Sequence, residues 1–210
     1  MKLELIYPNF PFWRAEVSRL ALFIGDIPFV NVHPSREEFA EMKESGVLTF
    51  GQVPVLKVDG KVIAQTGAIA RFCGKLSGLY PTEDHFVAAK VDEVIDAATD
   101  ISNLMSPTMR EKDPETKLAL RKSLAEGKLP QWLGYLERCL EVNSSSEFFV
   151  TDRLTIADLA IWRLLGWLSG GILDGIPKDI MEPFPLLKKH FDTVGSIPKV
   201  QQWMSKQYGK

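Results

Sequence analysis

Residues 51–70 read GQVPVLKVDGKVIAQTGAIA, and the rest of the chain is organised around them. Two apolar runs, 53–58 and 61–64, flank Asp59-Gly60. Asp-Gly between such runs is a strong hairpin signal, because the tight turn needs positive φ angles that these residues tolerate. Pro54 cannot donate to a sheet ladder, so it marks a strand entry or an edge. It also admits a cis bond to Val53 at about 0.5–1 kcal/mol, rather than the several needed before other residues. Such a bond would turn the N–H and C=O of Val53 away from the sheet and toward a ligand. Gln65-Thr66-Gly67-Ala68-Ile69 then opens an apolar helix. Thr66 reads as its N-cap, and the N–H groups exposed at that start read as an anion site.

Working outward, residues 3–7 form a short apolar strand closed by Pro8, and the aromatic loop 8–13 leads into a buried helix over 14–25. A second strand covers 29–32. A helix over 35–44 begins with Ser35 as cap and Glu38 three residues on. The element order is therefore β-α-β-α-β-β-α, an α/β layer. Residues 78–83 break the pattern, and everything beyond reads as helical. Segments at 84–105 and 115–142 are long helices, the second kinked or broken at Pro130, and a loop follows at 143–146. Thr155 caps a nearly all-apolar helix with Asp158 at its third position, a folding device rather than a catalytic group. A last helix enters through Ile197-Pro198. The expected fold class is α/β plus all-α, with domains at 1–79 and 85–210 joined by a linker at 80–84.

Bulk properties narrow the function classes. Of 210 residues, 45 % are hydrophobic without any tract long enough to span a membrane, so a globular chain with no membrane partner is expected. A net charge of −2 gives no reason to expect nucleic acid. Cys73 and Cys139 lie outside any C-x-x-C pattern, so neither a disulfide framework nor a zinc site is expected. Residues 1–5 read as a strand rather than a leader, which makes a cytoplasmic protein the default.

The string G-Q-V-P-V-L-x-x-D-G-x-x-x-x-Q-T-x-A-I-x-R resembles the glutathione-binding half of the cytosolic glutathione transferases. Its spacing is most similar to the sigma-like branch, which includes the glutathione-dependent prostaglandin D synthase. The Thr155–Asp158 box and the Ile197-Pro198 close extend the resemblance over essentially the whole chain. It implies a thioredoxin-like first domain, an all-helical second domain contributing the second-substrate pocket, glutathione as co-substrate and a homodimer. The implied activity is conjugation of the glutathione thiolate to small hydrophobic electrophiles, as in detoxification. Alternatives are a glutathione-dependent isomerase or peroxidase of lipid substrates, and an inactive glutathione-binding or structural relative.

The resemblance also places residues. Val53 before Pro54 would pair with the cysteinyl backbone of glutathione, beside Gln52, and Gln65 with Thr66 would hold its γ-glutamyl carboxylate. Phe39 and Lys43 match the family's Trp-x-x-x-Lys, a pair that contacts the glycyl carboxylate. Phe39 lacks the indole donor, a hydrogen bond of about 1–2 kcal/mol at a charged acceptor. Asp92, Asp96 and Asp100 share a helical face at which like charges repel, so something must offset them. Asp100 would reach the γ-glutamyl amine across a dimer interface, with Asp92 and Asp96 facing the cleft; no metal is expected.

A free thiol titrates near ~8.5, so the reaction needs roughly 2.7 kcal/mol of preferential anion stabilisation for a two-unit shift. One aimed hydroxyl supplies that scale of energy. The family's tyrosine falls on Tyr7 when the chain is aligned from Leu3-Glu4-Leu5, and on Pro8 when aligned back from Arg14, because the intervening loop is one residue longer. Tyr7 is preferred, since length changes belong in loops. Arg14 would favour the anionic centre. Phe10, Phe12, Trp13, Met105, Met109, Arg163 and Leu164 are the expected walls of the second-substrate pocket.

Overall fold

The computed structural model describes residues 1–143 and 147–209. Its first layer is a four-stranded sheet of β1 (Leu3–Ile6), β2 (Val30–Val32), β3 (Val55–Val58) and β4 (Lys61–Ala64), in the order β2-β1-β3-β4. β2 runs parallel to β1, which requires a crossover, and α1 (Trp13–Ile24) supplies it. β3 and β4 pair antiparallel through the Asp59-Gly60 turn, with both residues at positive φ. α1 and α3 (Thr66–Ser77) pack together, and α3 also meets the hairpin strands. α2 (Arg36–Glu44) buries no residue of its own, but Phe39 and Met42 cover a small second core of Ile6, Leu48 and Val55. Ser35 forms the capping box expected for it.

The remainder is helical: α4 (His85–Arg110), α5 (Pro114–Glu126), α6 (Lys128–Val142), α7 (Ile156–Leu168), α8 (Pro185–Ser196) and α9 (Pro198–Tyr208). A small α/β domain followed by an all-helical domain is thus the observed architecture. α7 is the hub, buried along most of its length and packed against α1, α4 and α8. Asp158 closes its first turn. It accepts hydrogen bonds from the Thr155 N–H and hydroxyl, both at 2.8 Å, and from the Phe149 N–H at 2.9 Å, with His190 Nε2 at 3.2 Å.

Several local expectations shift. The cap of α3 is Gln65, at φ 75°, and Thr66 is instead the first, buried residue of the helix. α4 does not stop at residue 105; it continues through Pro107 to Arg110 because packing in the bundle outweighs the hydrogen bond that the proline removes. The break between α5 and α6 falls at Gly127, while Pro130 sits in the first turn of α6, where its missing N–H is not needed. α8 was not anticipated as a separate helix. Asp92 is held within the chain, accepting from Arg71 Nε at 2.7 Å and the Tyr80 hydroxyl at 3.1 Å, and this offsets the acidic face. Of the loop expected at 143–146, residues 144–146 lie outside those described.

Replacing a buried carboxylate that satisfies this many donors leaves them unpaired, at a cost of about 3 kcal/mol or more. Asp158→Ala is therefore expected to lower Tm by roughly 6–12 °C in calorimetry. Asp96→Ala, on an exposed surface, is expected to change stability by no more than about 0.5 kcal/mol.

Candidate functional site

The site begins where β1 ends. The Tyr7 N–H donates to the Val32 carbonyl at 3.0 Å, which prolongs the β1–β2 pairing by one residue. Beyond it the chain folds into two successive three-residue turns, Phe10 N–H to Pro8 O at 2.7 Å and Phe12 N–H to Phe10 O at 2.9 Å. The longer loop is absorbed there. Phe10 and Phe12 stack at 6.2 Å between centroids, and Phe12 meets Trp167 edge-on at 4.9 Å.

Arg19, fully buried in α1, holds this loop from behind. Its guanidinium donates to Glu16 at 2.7 Å, to Asn31 at 2.9 Å, to the Tyr208 hydroxyl at 3.2 Å, and to the carbonyls of Tyr7, Pro8 and Phe10 at 3.3–3.4 Å. Glu16 accepts in turn from the Trp203 indole at 3.0 Å and the Tyr208 hydroxyl at 2.7 Å. Arg163 Nη2 donates to the Pro11 carbonyl at 2.5 Å from the α7 side. The carbonyls of Tyr7, Pro8, Phe10 and Pro11 are therefore each held by a guanidinium.

Tyr7 is largely buried. Burial pushes its phenol above the usual tyrosine range, the charges of Arg14 and Arg19 oppose that rise, and Glu16 adds to it. The phenol thus stays protonated through neutral pH and is available as a donor. Burial also lowers the Arg14 guanidinium, and Tyr7 opposes that shift. Arg14 lies 5.8 Å from the Trp13 ring and has no carboxylate partner among the described residues.

Arg14 stands at a junction. On one side is a small recess bounded by Gln52, Val53, Pro54, Gln65 and Thr66, with Phe50 and Ala64. The Val53-Pro54 bond is cis. Gln65 keeps its positive φ, a conformation costing a non-glycine residue on the order of 1–3 kcal/mol and concentrated at functional sites. On the other side is a cavity of about 600 Å³ that shares Arg14, Gln52 and Val53 with the recess. Its further walls are Phe10, Phe12, Phe39, Gly51 and Trp167, and one face of α4 carrying Ser102, Asn103, Ser106, Met109 and Arg110.

The sequence-derived residues thus divide. Arg14, Gln52, Val53, Pro54, Gln65, Thr66, Phe39, Phe10 and Phe12 come together around the recess and cavity. Tyr7 lies near Arg14 without lining either space. Lys43 is exposed, its Cε passing close to Gly51, and Asp100 is exposed and lines neither space. Three expected pocket walls are corrected: Trp13, Met105 and Leu164 are fully buried. Trp13 instead donates its indole N–H to Ser102 Oγ at 2.6 Å. Arg163 is corrected as well, because it holds the loop carbonyl rather than facing the cavity. Trp167, Ser102, Asn103, Ser106 and Arg110 were not anticipated. A helical period carried past residue 105 would have placed four of them on one face with Met109, but Pro107 marked an end that packing overrides. Among the described residues, no group of three or more His, Cys, Asp or Glu is arranged to hold a metal ion, and no helix is long and apolar enough to cross a membrane.

Two family models match the chain: the glutathione S-transferase N-terminal domain over residues 3–74 and the glutathione S-transferase C-terminal domain over residues 99–207. The sequence is 31 % identical over 202 residues to glutathione S-transferase 1 of Ascaris suum, covering 91 % of this chain and 90 % of that one. Among solved structures, the prostaglandin synthase D of Nilaparvata lugens is similar at a TM-score of 0.84 and 28 % identity, with 98 % of each chain covered. Rat hPGDS complexed with a quinoline is similar at 0.83 and 25 % identity, covering 98 % of this chain and 97 % of that one.

The clamp behind the loop is testable without touching the cavity. Tyr208→Phe removes the donor to Glu16 and an acceptor from Arg19, an expected loss of about 1–3 kcal/mol. Hydrogen exchange should accelerate at the amides of Phe10 and Phe12 while α7 keeps its protection. Equal acceleration in both would mean that the whole fold, not the loop, depends on this hydroxyl.

Proposed function

This chain belongs to the glutathione S-transferase family and is a glutathione transferase using glutathione as co-substrate, and we propose that Tyr7 and Arg14 form the centre that stabilises the thiolate. The observation that carries this reading is the junction at Arg14: a cation with no carboxylate partner among the described residues, between a polar recess and an aromatic cavity. Glutathione lies with its γ-glutamyl carboxylate at Gln65 and Thr66 and its cysteinyl backbone at Val53, beside Gln52 and Pro54. Phe39 and Lys43 stand toward the glycyl end. The thiol loses its proton to solvent, Tyr7 donates its hydroxyl hydrogen to the sulfur anion, and Arg14 adds positive charge. The sulfur then attacks the electrophilic carbon, a C–S bond forms, and the leaving group or displaced π electrons carry the charge away.

The second substrate is a small hydrophobic electrophile held between Phe10, Phe12 and Trp167 on one side and α4 on the other. A second reading, isomerisation or peroxide reduction of lipid substrates in the same cavity, is favoured by the two prostaglandin synthase structures among the neighbours. The same neighbours support a sigma-like class. A cytoplasmic homodimer acting in detoxification is the matching biological setting, with residues 1–79 and 85–210 as domains and 80–84 as linker. Support for the dimer comes from exposed Phe50 and Phe86 and from a cavity of about 520 Å³ between α4 and α6, lined by Val94, Tyr135 and Val142 among others. Asp100, exposed on α4, would contribute to the partner's glutathione site.

Titrating glutathione into the protein at neutral pH should produce the ultraviolet band of a bound thiolate, and Tyr7→Phe should remove it. A hydrogen bond to a charged acceptor contributes about 1.5–3 kcal/mol, so kcat/KM should fall by roughly one to two orders of magnitude. The protonated thiol is inactive, so the acid limb of the pH–rate profile should move upward by about one to two units in the variant. An unchanged band and profile would assign the thiolate to another donor.

A further inference from the structure

Two arginines reach one cavity, and no aspartate or glutamate is among the described residues that line it. Arg14 belongs to the proposed thiolate centre. Arg110 does not: it ends α4 and, among the described residues, makes no hydrogen bond or ion pair. The neighbouring carboxylate is already engaged, because Glu111 accepts from the N–H groups of Lys112 and Asp113 at 2.7 and 2.9 Å. Ser106 and Asn103, one and two turns before Arg110 on the same cavity-facing side of α4, also have side chains with no hydrogen-bond partner among the described residues. By contrast, Ser102 is satisfied by Trp13 and by the Ala98 carbonyl.

The positions set a length. Ser102 is fixed to Trp13, the residue next to Arg14, and Arg110 lies eight residues further on, about 12 Å along the helix. The cavity's other walls include the rings of Phe10, Phe12, Phe39 and Trp167. A terminal arginine is ordinarily a favourable partner for a helix dipole, which by itself would account for Arg110. It does not account for two further free donors on the same face of an acid-free cavity, where an apolar wall strengthens the field of a cation.

Resting on the functional reading above, we propose that the cavity selects electrophiles bearing a carboxylate at the far end of an apolar chain, and that Arg110 is the specificity-determining residue. Asn103 and Ser106 are the accompanying donors. The acceptor is thus an amphipathic acid, its reactive carbon near Arg14 and its anion about 12 Å away.

A matched pair of probes tests this: a straight-chain α,β-unsaturated ketone ending in a carboxylate at about that distance from its β-carbon, and its methyl ester. In each, the glutathione sulfur bonds to the β-carbon, the π electrons pass to the enolate, and solvent returns a proton. The wild type should show a kcat/KM about tenfold higher for the acid than for the ester, corresponding to a single partly solvated ion pair. Arg110→Gln should bring the ratio to about one, and Arg110→Lys should keep most of it. Lys112→Gln, which removes a nearby exposed charge outside the cavity, should leave it unchanged. The wild-type ratio should also fall toward one as sodium chloride is raised, since salt screens an exposed pair. A wild-type ratio of one, a ratio indifferent to salt, a preference that survives Arg110→Gln, or an equal loss in Lys112→Gln would each overturn the inference. Turnover of a neutral general electrophile without preference for the acid would overturn the inference and leave the transferase site standing. Failure to conjugate any of these compounds would overturn the site reading and this inference with it.

Discussion

A guanidinium with no exposed surface lies where the sheet, the aromatic loop and the C-terminal helix meet. Removing an ion of that size from water costs several kcal/mol unless its donors are met by well-placed acceptors. Arg19 meets that requirement with Glu16, Asn31, the Tyr208 hydroxyl and the carbonyls of Tyr7, Pro8 and Phe10 after β1. Its partner Glu16 also accepts from Trp203 and Tyr208, so both of its oxygens are engaged. The pair therefore demands that residues separated by up to 192 positions arrive together, and none of them can leave without stranding a charge. Burial and Glu16 drive the Tyr208 phenol upward, so its hydroxyl remains a donor to Glu16 at neutral and moderately alkaline pH.

This clamp explains why α1 serves both layers. Leu20, Ala21 and Leu22 are consecutive and all fully buried, so the helix is covered around most of its circumference, and it packs against both α3 and α7. α7 can act as the hub because Asp158 closes its first turn and fastens it to Phe149 and His190. The cavity is what remains between two walls fixed in this way: the aromatic loop, held by Arg19 and Arg163, and the end of α4. Its shape therefore depends on ionic contacts outside it.

Much of the fold was legible because its signals are local. The Asp59-Gly60 turn, the Ser35 box, the Thr155–Asp158 box and the break after Ser77 each depend on residues within four positions of one another. The recess was legible for a similar reason, since Val53, Pro54, Gln65 and Thr66 lie on one hairpin and the helix that follows it. The cavity was less so. Trp13, Met105 and Leu164 have the composition of a pocket wall, but composition does not say which way a buried helix is turned, and all three face the core. Pro107 hid the last turn of α4, whose Met109 and Arg110 line the cavity together with Asn103 and Ser106. A proline's local cost was there outweighed by the packing of the bundle.

The amino-acid order alone determined the element sequence through α3, the hairpin with its proline, the capping boxes at Ser35 and Thr155 and the family to which the chain belongs, because turns, caps and periodicity act over one or two turns of backbone. Only the tertiary structure decided that Arg19 is a buried clamp rather than a surface charge, that Asp92 is held by Arg71, and that Arg110 looks into a cavity while Arg163 does not. Those outcomes depend on which faces of distant elements meet. The free energy of burying a charge or a ring is set by that encounter, not by its neighbours in sequence.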